Sequence, residues 1–296
     1  MHPRARFSLP AGWLDQNGAR EHGVEIRALC GADEEWIHSL PGETRQVSVA
    51  AALLTRCLRR IGARRASPAM IRELTVGDTD FLLLRLWELT FGHRVELVLH
   101  CPRGACGAKM DVDFTLRAVP IEPCPQLPSY TVRFPDGPVR AVDFRLPRLG
   151  DLEEIDSRSA ETLLDRCLLS IDDQSELDPA GPRSLPAELR AAIEAEMERV
   201  SATAHGEIEA ECAECGAAFT IALEPMTWLL SEVARRRREF EADVHLLSFH
   251  YHWPLRDILS MPRAQRQHYV RLLLEQIDRA PGVPPASEPV AEAWQA

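Results

Sequence analysis

The chain has 296 residues and a formal charge of -11, from 34 basic and 45 acidic side chains. Its 45% apolar content supplies a real core and excludes global disorder, and the acidic balance argues against nucleic acid or anionic membrane as a general partner. No window is long and apolar enough to span a bilayer and the start holds no sustained apolar run, so the expectation is a non-secreted, cytoplasmic protein whose eight cysteines are thiols and metal ligands.

Residues 1–47 are rich in glycine, proline and charge, punctuated by Trp13 and Trp36, and read as an irregular N-terminal arm. A first helix is expected over Val49–Ile61, capped by Ser48 and stopped by Gly62. A second is expected over Val76–Glu88, where Thr75 and Asp78 have capping-box spacing and FLLLRLWEL is apolar nearly all round. Gly92 ends it. The period then changes from helical to alternating. Residues 95–100 (VELVLH) and 111–116 (DVDFTL) read as a hairpin with cysteines at its turn.

The proline-rich stretch 119–150 holds a second candidate hairpin, Tyr130–Phe134 with Val139–Phe144 around Asp136-Gly137. Asp151 and Glu154 suggest a capped helix near 152–168, a loop follows over 172–186, and Ala187–Val200 reads as helix. The strand–turn–strand pattern then recurs, 207–211 and 217–223 flanking CAECG. Pro225 opens an expected long helix to about His250, and Ser260 and Pro262 announce a last helix over Arg263–Ile277. Residues 281–296 read as a loose tail.

Two segments share a plan: a strand, a cysteine pair, a glycine and another strand. The pairs are Cys101 with Cys106 (C-x4-C) and Cys212 with Cys215 (C-x2-C). A glycine there turns the backbone tightly enough for amides to approach thiolates, and two such knuckles supply the four sulfurs that tetrahedral zinc takes. The long stretch between the pairs is no barrier, because loop-closure cost grows only logarithmically. Two other readings stay open: a redox pair at Cys212 and Cys215, and unligated thiols. The redox reading lacks the helix N-terminus that lowers a cysteine pKa. A site with four sulfur ligands has no open coordination position, so such a zinc is structural. Cys30, Cys57, Cys124 and Cys167 have no partner spacing, and Cys57 and Cys167 fall within apolar helical patterns.

His245, His250, His252 and His268 cluster near the end, without a metalloprotease pattern. Phe249, Tyr251 and Trp253 in SFHYHW are expected to pack the long helix against the last one. Arg235–Arg238 is a basic run that reads as a solvated helix face or as a contact for an acidic partner. No phosphate loop or nucleophile elbow is present.

In its order of segments the chain resembles the baseplate hub and hub-assembly proteins of contractile-tailed phages and of phage-like contractile injection systems. The resemblance rests on LTVGDTDFLLLRLWELTFGHRVELVLHCPRGACG, AVDFRLPRLGDLEEI, EIEAECAECGAAFTIALEP and LLSFHYHWPLRDILSMPRAQRQHYVRLL, spanning about residues 70–277. The family pattern prefers C-x2-C in both knuckles, so the first turn departs from it. The resemblance implies a non-enzymatic structural or chaperone-like part of a baseplate, with hub or tube proteins as partners. Cys101, Cys106, Cys212 and Cys215 carry over as zinc ligands, and His250, Tyr251, His252 and Trp253 as a packing signature.

The expected fold class is α+β, mainly helical, with β-hairpins forming a four-cysteine zinc-ribbon-like module that carries a large insertion. The expected organisation is an arm (1–47), helices leading into the first cysteine hairpin (48–118), a mixed insertion (119–206), the second cysteine hairpin with C-terminal helices (207–280), and the tail. The competing function is a zinc-ribbon nucleic-acid-binding or regulatory protein. Against it, the cysteine turns hold only Arg103 as a basic residue, and Glu214 as an acid.

Overall fold

The computed structural model describes residues 4–15, 17–116, 119, 121, 123–124, 126–135, 139–155, 162–172, 185–201, 208–221 and 223–279. The expected Asp136-Gly137 turn, most of the 172–186 loop and the 281–296 tail lie outside them.

The first correction concerns the N-terminal arm. Strands β1 (Arg4–Leu14) and β2 (Arg20–Arg27) form an antiparallel hairpin, followed by helix α1 (Gly31–His38). Pro10 and Gly12 look like strand breakers, but they sit where the β1 register shifts, between Ser8 and Trp13. A bulge tolerates both residue types. Leu9, Ala11 and Trp13 are buried there.

Helix α2 (Gln46–Cys57) starts before Ser48 and ends earlier than expected. Residues Leu58–Ile61 turn out as strand β3, paired with β2 and with the short β4 (Arg64–Arg65). The pairing edge of β2 decides this. Leu58 and Ile61 are buried while Arg59 and Arg60 are exposed. Gly62 is therefore a hairpin residue, with φ +55° and its N–H donating to the Gly23 carbonyl at 2.7 Å.

Helix α3 (Pro68–Arg72) is capped by Ser67, and α4 (Val76–Phe91) by Thr75, whose hydroxyl accepts the Asp78 N–H at 3.1 Å. The expected capping box is half formed. The Asp78 carboxylate turns away and accepts the N–H groups of Ala11 (2.9 Å) and Gly12 (3.0 Å), fastening the β1 bulge to α4. Gly92, at φ +95°, ends the helix. The antiparallel pair β5 (Arg94–His100) and β6 (Lys109–Thr115) follows, as the alternation predicts.

Strands β7 (Tyr130–Arg133) and β8 (Ala141–Phe144) pair as expected, and β9 (Leu168–Ile171) extends their sheet. The expected helix near 152–168 is instead two short ones, α5 (Leu149–Glu154) and α6 (Leu163–Cys167), the second capped by Thr162 with Asp165. Asp151 takes the Arg148 N–H at 2.8 Å, so it lies inside the first turn of α5. With α7 (Ala187–Val200) these elements enclose their own apolar cluster, including Val142, Phe144, Leu164, Cys167, Ile193 and Met197.

The second cysteine hairpin is β10 (Ile208–Glu211) with β11 (Ala218–Ile221). The expected long helix is broken at Arg236 (φ -90°, ψ 10°) into α8 (Pro225–Arg235) and α9 (Arg237–Tyr251). The break lets α8 pack on α4 and α9 on α11 (Arg263–Asp278). A helix the sequence reading omits, α10 (Leu255–Ser260), lies between α9 and α11.

The main core joins β1–β3, α2, α4 and α8, with the base of the β5–β6 hairpin packed on it. The architecture is mixed helix and sheet, consistent with α+β. Among the described residues no helix is long and apolar enough to cross a membrane.

Candidate metal centre

Both cysteine turns are built alike from the backbone up. In the first, the ladder closes with His100 opposite Lys109. The Cys101 N–H then donates to the Ala108 carbonyl at 2.8 Å, and Gly107 turns the chain at φ +57°. In the second, Glu211 lies opposite Ala218, the Cys212 N–H donates to the Ala217 carbonyl at 3.0 Å, and Gly216 has φ +65°. The residue after each pair must be left-handed, a conformation glycine adopts without the Cβ penalty. The two extra residues of the first turn are taken up ahead of Cys106, whose N–H donates to the Arg103 carbonyl at 2.8 Å. The knuckle geometry survives the longer spacing.

The structure brings all four expected residues together. The sulfurs of Cys101, Cys106, Cys212 and Cys215 lie within 4.8 Å of one another. Two edges cross between the hairpins, Cys101 to Cys215 at 3.7 Å and Cys106 to Cys212 at 3.9 Å. A tetrahedron with metal–sulfur bonds of about 2.3 Å has sulfur–sulfur edges of about 3.8 Å. The donor set and spacing fit a zinc-sized, thiolate-preferring ion, and all four thiols are free of disulfides. Cys101 and Cys212 are buried, and Met110 with parts of Ala108, Ala217 and Phe219 closes a small apolar jacket around the sulfurs.

Backbone donors shape the electrostatics. The amides of Cys215 and then Glu214 hold the Cys212 thiol down to about 7, against the opposing effect of burial. At Cys101 the Arg103 amide acts the same way, but burial and the neighbouring thiols outweigh it and push the group up to about 12. Four sulfurs at this distance cannot all ionise unless a cation compensates them. Cys215 is followed by strand β11, so no helix N-terminus activates the pair as a redox motif.

The other candidates disperse. Cys57 and Cys167 are fully buried core residues. Tyr251 stacks on Trp253 (4.7 Å), which meets Tyr269 of α11 edge-on (5.0 Å), as the packing expectation requires. Phe249 departs from that expectation. It is 64% exposed and stacks on His245, while His250 and His252 face solvent. His252 ends α9 in the left-handed region, at φ +54°. The arginine run is largely neutralised within its own helices: Arg235 and Arg236 pair with Glu232, and Arg237 with Glu241.

Sequence reasoning missed a buried ionic network. Arg266, fully buried on α11, donates to Glu34 of α1 at 2.7 Å and to the Met261 carbonyl at 3.1 Å. Arg263 approaches the other Glu34 oxygen at 4.0 Å. No local signal marks these residues, because arginine and glutamate on a helix read as surface.

A family model described as T4 bacteriophage base plate protein matches residues 23–228. The match takes in both cysteine hairpins and stops within α8. No curated protein and no solved structure matches the chain.

Proposed function

Since the chain belongs to the T4 bacteriophage base plate protein family, we propose that it is a non-enzymatic structural or chaperone-like component of the baseplate or hub of a contractile phage tail or phage-like injection system. Its partners are then baseplate, hub or tube proteins, and its place is the cytoplasm during assembly and the particle thereafter. Within that role Cys101, Cys106, Cys212 and Cys215 hold one structural zinc. The observation that carries this is the sulfur tetrahedron, with cross-hairpin edges of 3.7 and 3.9 Å between knuckles remote in sequence. Closed by four protein ligands, the ion has no position for a substrate. The segment 119–206, with its own apolar cluster, is read as an insertion into this zinc-ribbon-like module.

Zinc would supply the positive charge that the four sulfurs lack, and the chain's own part is to present them. The knuckle amides favour thiolate, the two glycines set the turn, and the apolar jacket covers Cys101 and Cys212 while Cys106 and Cys215 stay half-buried. The Arg235–Arg238 run gives the nucleic-acid reading little support, because Arg235, Arg236 and Arg237 are engaged by neighbouring glutamates.

The test is elemental analysis of reduced protein purified without chelator, beside a Cys212→Ser variant. About one zinc per chain, lost or loosened in the variant together with cooperative unfolding, supports the staple. Zinc-free protein that unfolds no differently from the variant sinks it.

A further inference from the structure

Beside the cysteine centre lies a groove of about 780 Å³ between the β5–β6 hairpin and α8. Its apolar lining comes from Trp87, Val98, Leu99, Val112 and Trp228. Val98 is 51% exposed on the outer face of β5, unusual for a large aliphatic side chain in a strand flanked by acids. Around this lining stand Glu96, Asp111, Asp113, Glu224 and Glu232, against Arg94 and Arg235. Five carboxylates against two guanidiniums leave a formal charge of -3. Arg94 is taken by Asp113 (2.9 Å) and Glu96 (3.6 Å), and Arg235 by Glu232 (2.8 Å). Asp111 and Glu224 have no ion pair among the described residues. Trp87 is 96% buried, and its indole N–H has no acceptor among those residues.

The geometry points to this groove as the docking site for a basic, apolar segment of a partner protein, presenting apolar side chains to Leu99, Val112 and Trp228 and lysines or arginines to Asp111 and Glu224. Charge selects the occupant. A second copy of this chain carries -11, and residues 280–296 hold Glu288 and Glu292 but no lysine or arginine, so both are repelled. Nucleic acid is repelled by the same field. The position also gives the cysteine centre a purpose. One wall is the hairpin that ends in Cys101 and Cys106, and the other is the helix that leaves the hairpin of Cys212 and Cys215. Clipping the two knuckles together fixes the distance between the walls.

This inference rests on the baseplate reading for the identity of the partner, but its recognition chemistry is testable apart from it. The probe is a short fluorescein-labelled peptide alternating valine and lysine, followed by anisotropy. The control peptide has glutamate for lysine. The full-length chain should bind the lysine peptide and not the control, with affinity falling as salt rises. The Asp111→Lys/Glu224→Lys variant, both sites being exposed, should weaken binding by at least about tenfold while leaving thermal unfolding unchanged. Equal binding of the two peptides, or equal binding by the variant, overturns the groove. In a second arm, purified baseplate, hub and tube proteins of the same particle are tested against both forms. Capture by the wild type and loss in the variant supports both readings. Capture by both forms overturns the groove alone. Failure of the wild type to capture any of them counts against the baseplate role, and the peptide arm then decides the groove by itself.

Discussion

Replacing Asp78 isolates one buried carboxylate whose cost and benefit have opposite signs. It is fully buried and accepts two backbone N–H groups, from Ala11 at 2.9 Å and Gly12 at 3.0 Å. Asp78→Ala leaves two buried donors unpaired, at about 1–3 kcal/mol each, so about 2–6 kcal/mol in all. Against this, burial raises the Asp78 pKa from 3.8 to about 6, outweighing the two amides that lower it. Two units correspond to about 3 kcal/mol of preference for the neutral form in the folded state. A raised carboxyl pKa makes the folded state bind more protons, so the contribution is full below about pH 3.8 and is lost as pH rises through 6.

The wild type should therefore exceed Asp78→Ala by the most near pH 4, and the gap should narrow by about 2 kcal/mol between pH 4.5 and 7.5. Asp78→Asn keeps one acceptor and carries no charge. It should be more stable than Asp78→Ala by about 1–3 kcal/mol, independent of pH over that range, while its own gap to the wild type narrows with pH as that of Asp78→Ala does. Urea unfolding of the three proteins at a series of pH values reads these differences directly, and other titrating groups cancel in the comparison. A gap that stays constant or widens with pH would mean that the β1 bulge is held by an ionised carboxylate, contrary to the reasoning from burial.

Two further perturbations probe how the C-terminal helices are attached. Glu34→Ala strips the buried Arg266 guanidinium of its 2.7 Å partner and should cost about 3–5 kcal/mol, with hydrogen exchange rising first in α10 and α11. Full protection of α11 in that variant would show that the ion pair is dispensable. Gly31→Ala places a methyl group 2.9 Å from the Leu259 Cα, a backbone atom that cannot rotate aside. It should lower stability by about 1–3 kcal/mol in urea titrations, whereas a neutral result would show that α10 shifts freely from α1.

The cysteine hairpins were legible because everything that specifies them is local. The strands alternate, the cysteines stand at the turn, and Gly107 and Gly216 follow where the backbone goes left-handed. That the four sulfurs meet across so long a separation was legible from chemistry, since thiols in such knuckles want a tetrahedral set. Elements stabilised from afar were not legible. Strand β1 carries Pro10 and Gly12, and its bulge is held by Asp78, a residue remote in sequence. Leu58–Ile61 continues a helical pattern until the free edge of β2 claims it. Nothing in the arginine run marks Arg236 as the point where α8 and α9 part, because the break serves packing on α4 and α11.

The C-terminal helices show why charge patterning misleads most at an internal interface. The main apolar core takes residues from β1 through α8 and none from α9, α10 or α11. These helices bury Phe240, Leu247, Ile258 and Leu273 outside that core, and they are tied to α1 through Arg266, Arg263 and Glu34, with Phe240 under the Arg266 guanidinium at 5.1 Å. Such a contact adds little net stability over an apolar one, yet it tolerates no sliding, because any displacement leaves a buried charge unpaired. A metal held by the four clustered cysteines would impose the same condition on the hairpins, since four sulfurs can share one ion in a single arrangement. Segments far apart in sequence are thus held by links that fix register more than they add energy. That suits a phage base plate protein: were the groove beside α8 to receive a tail partner, a wall displaced by a few ångströms would miss it.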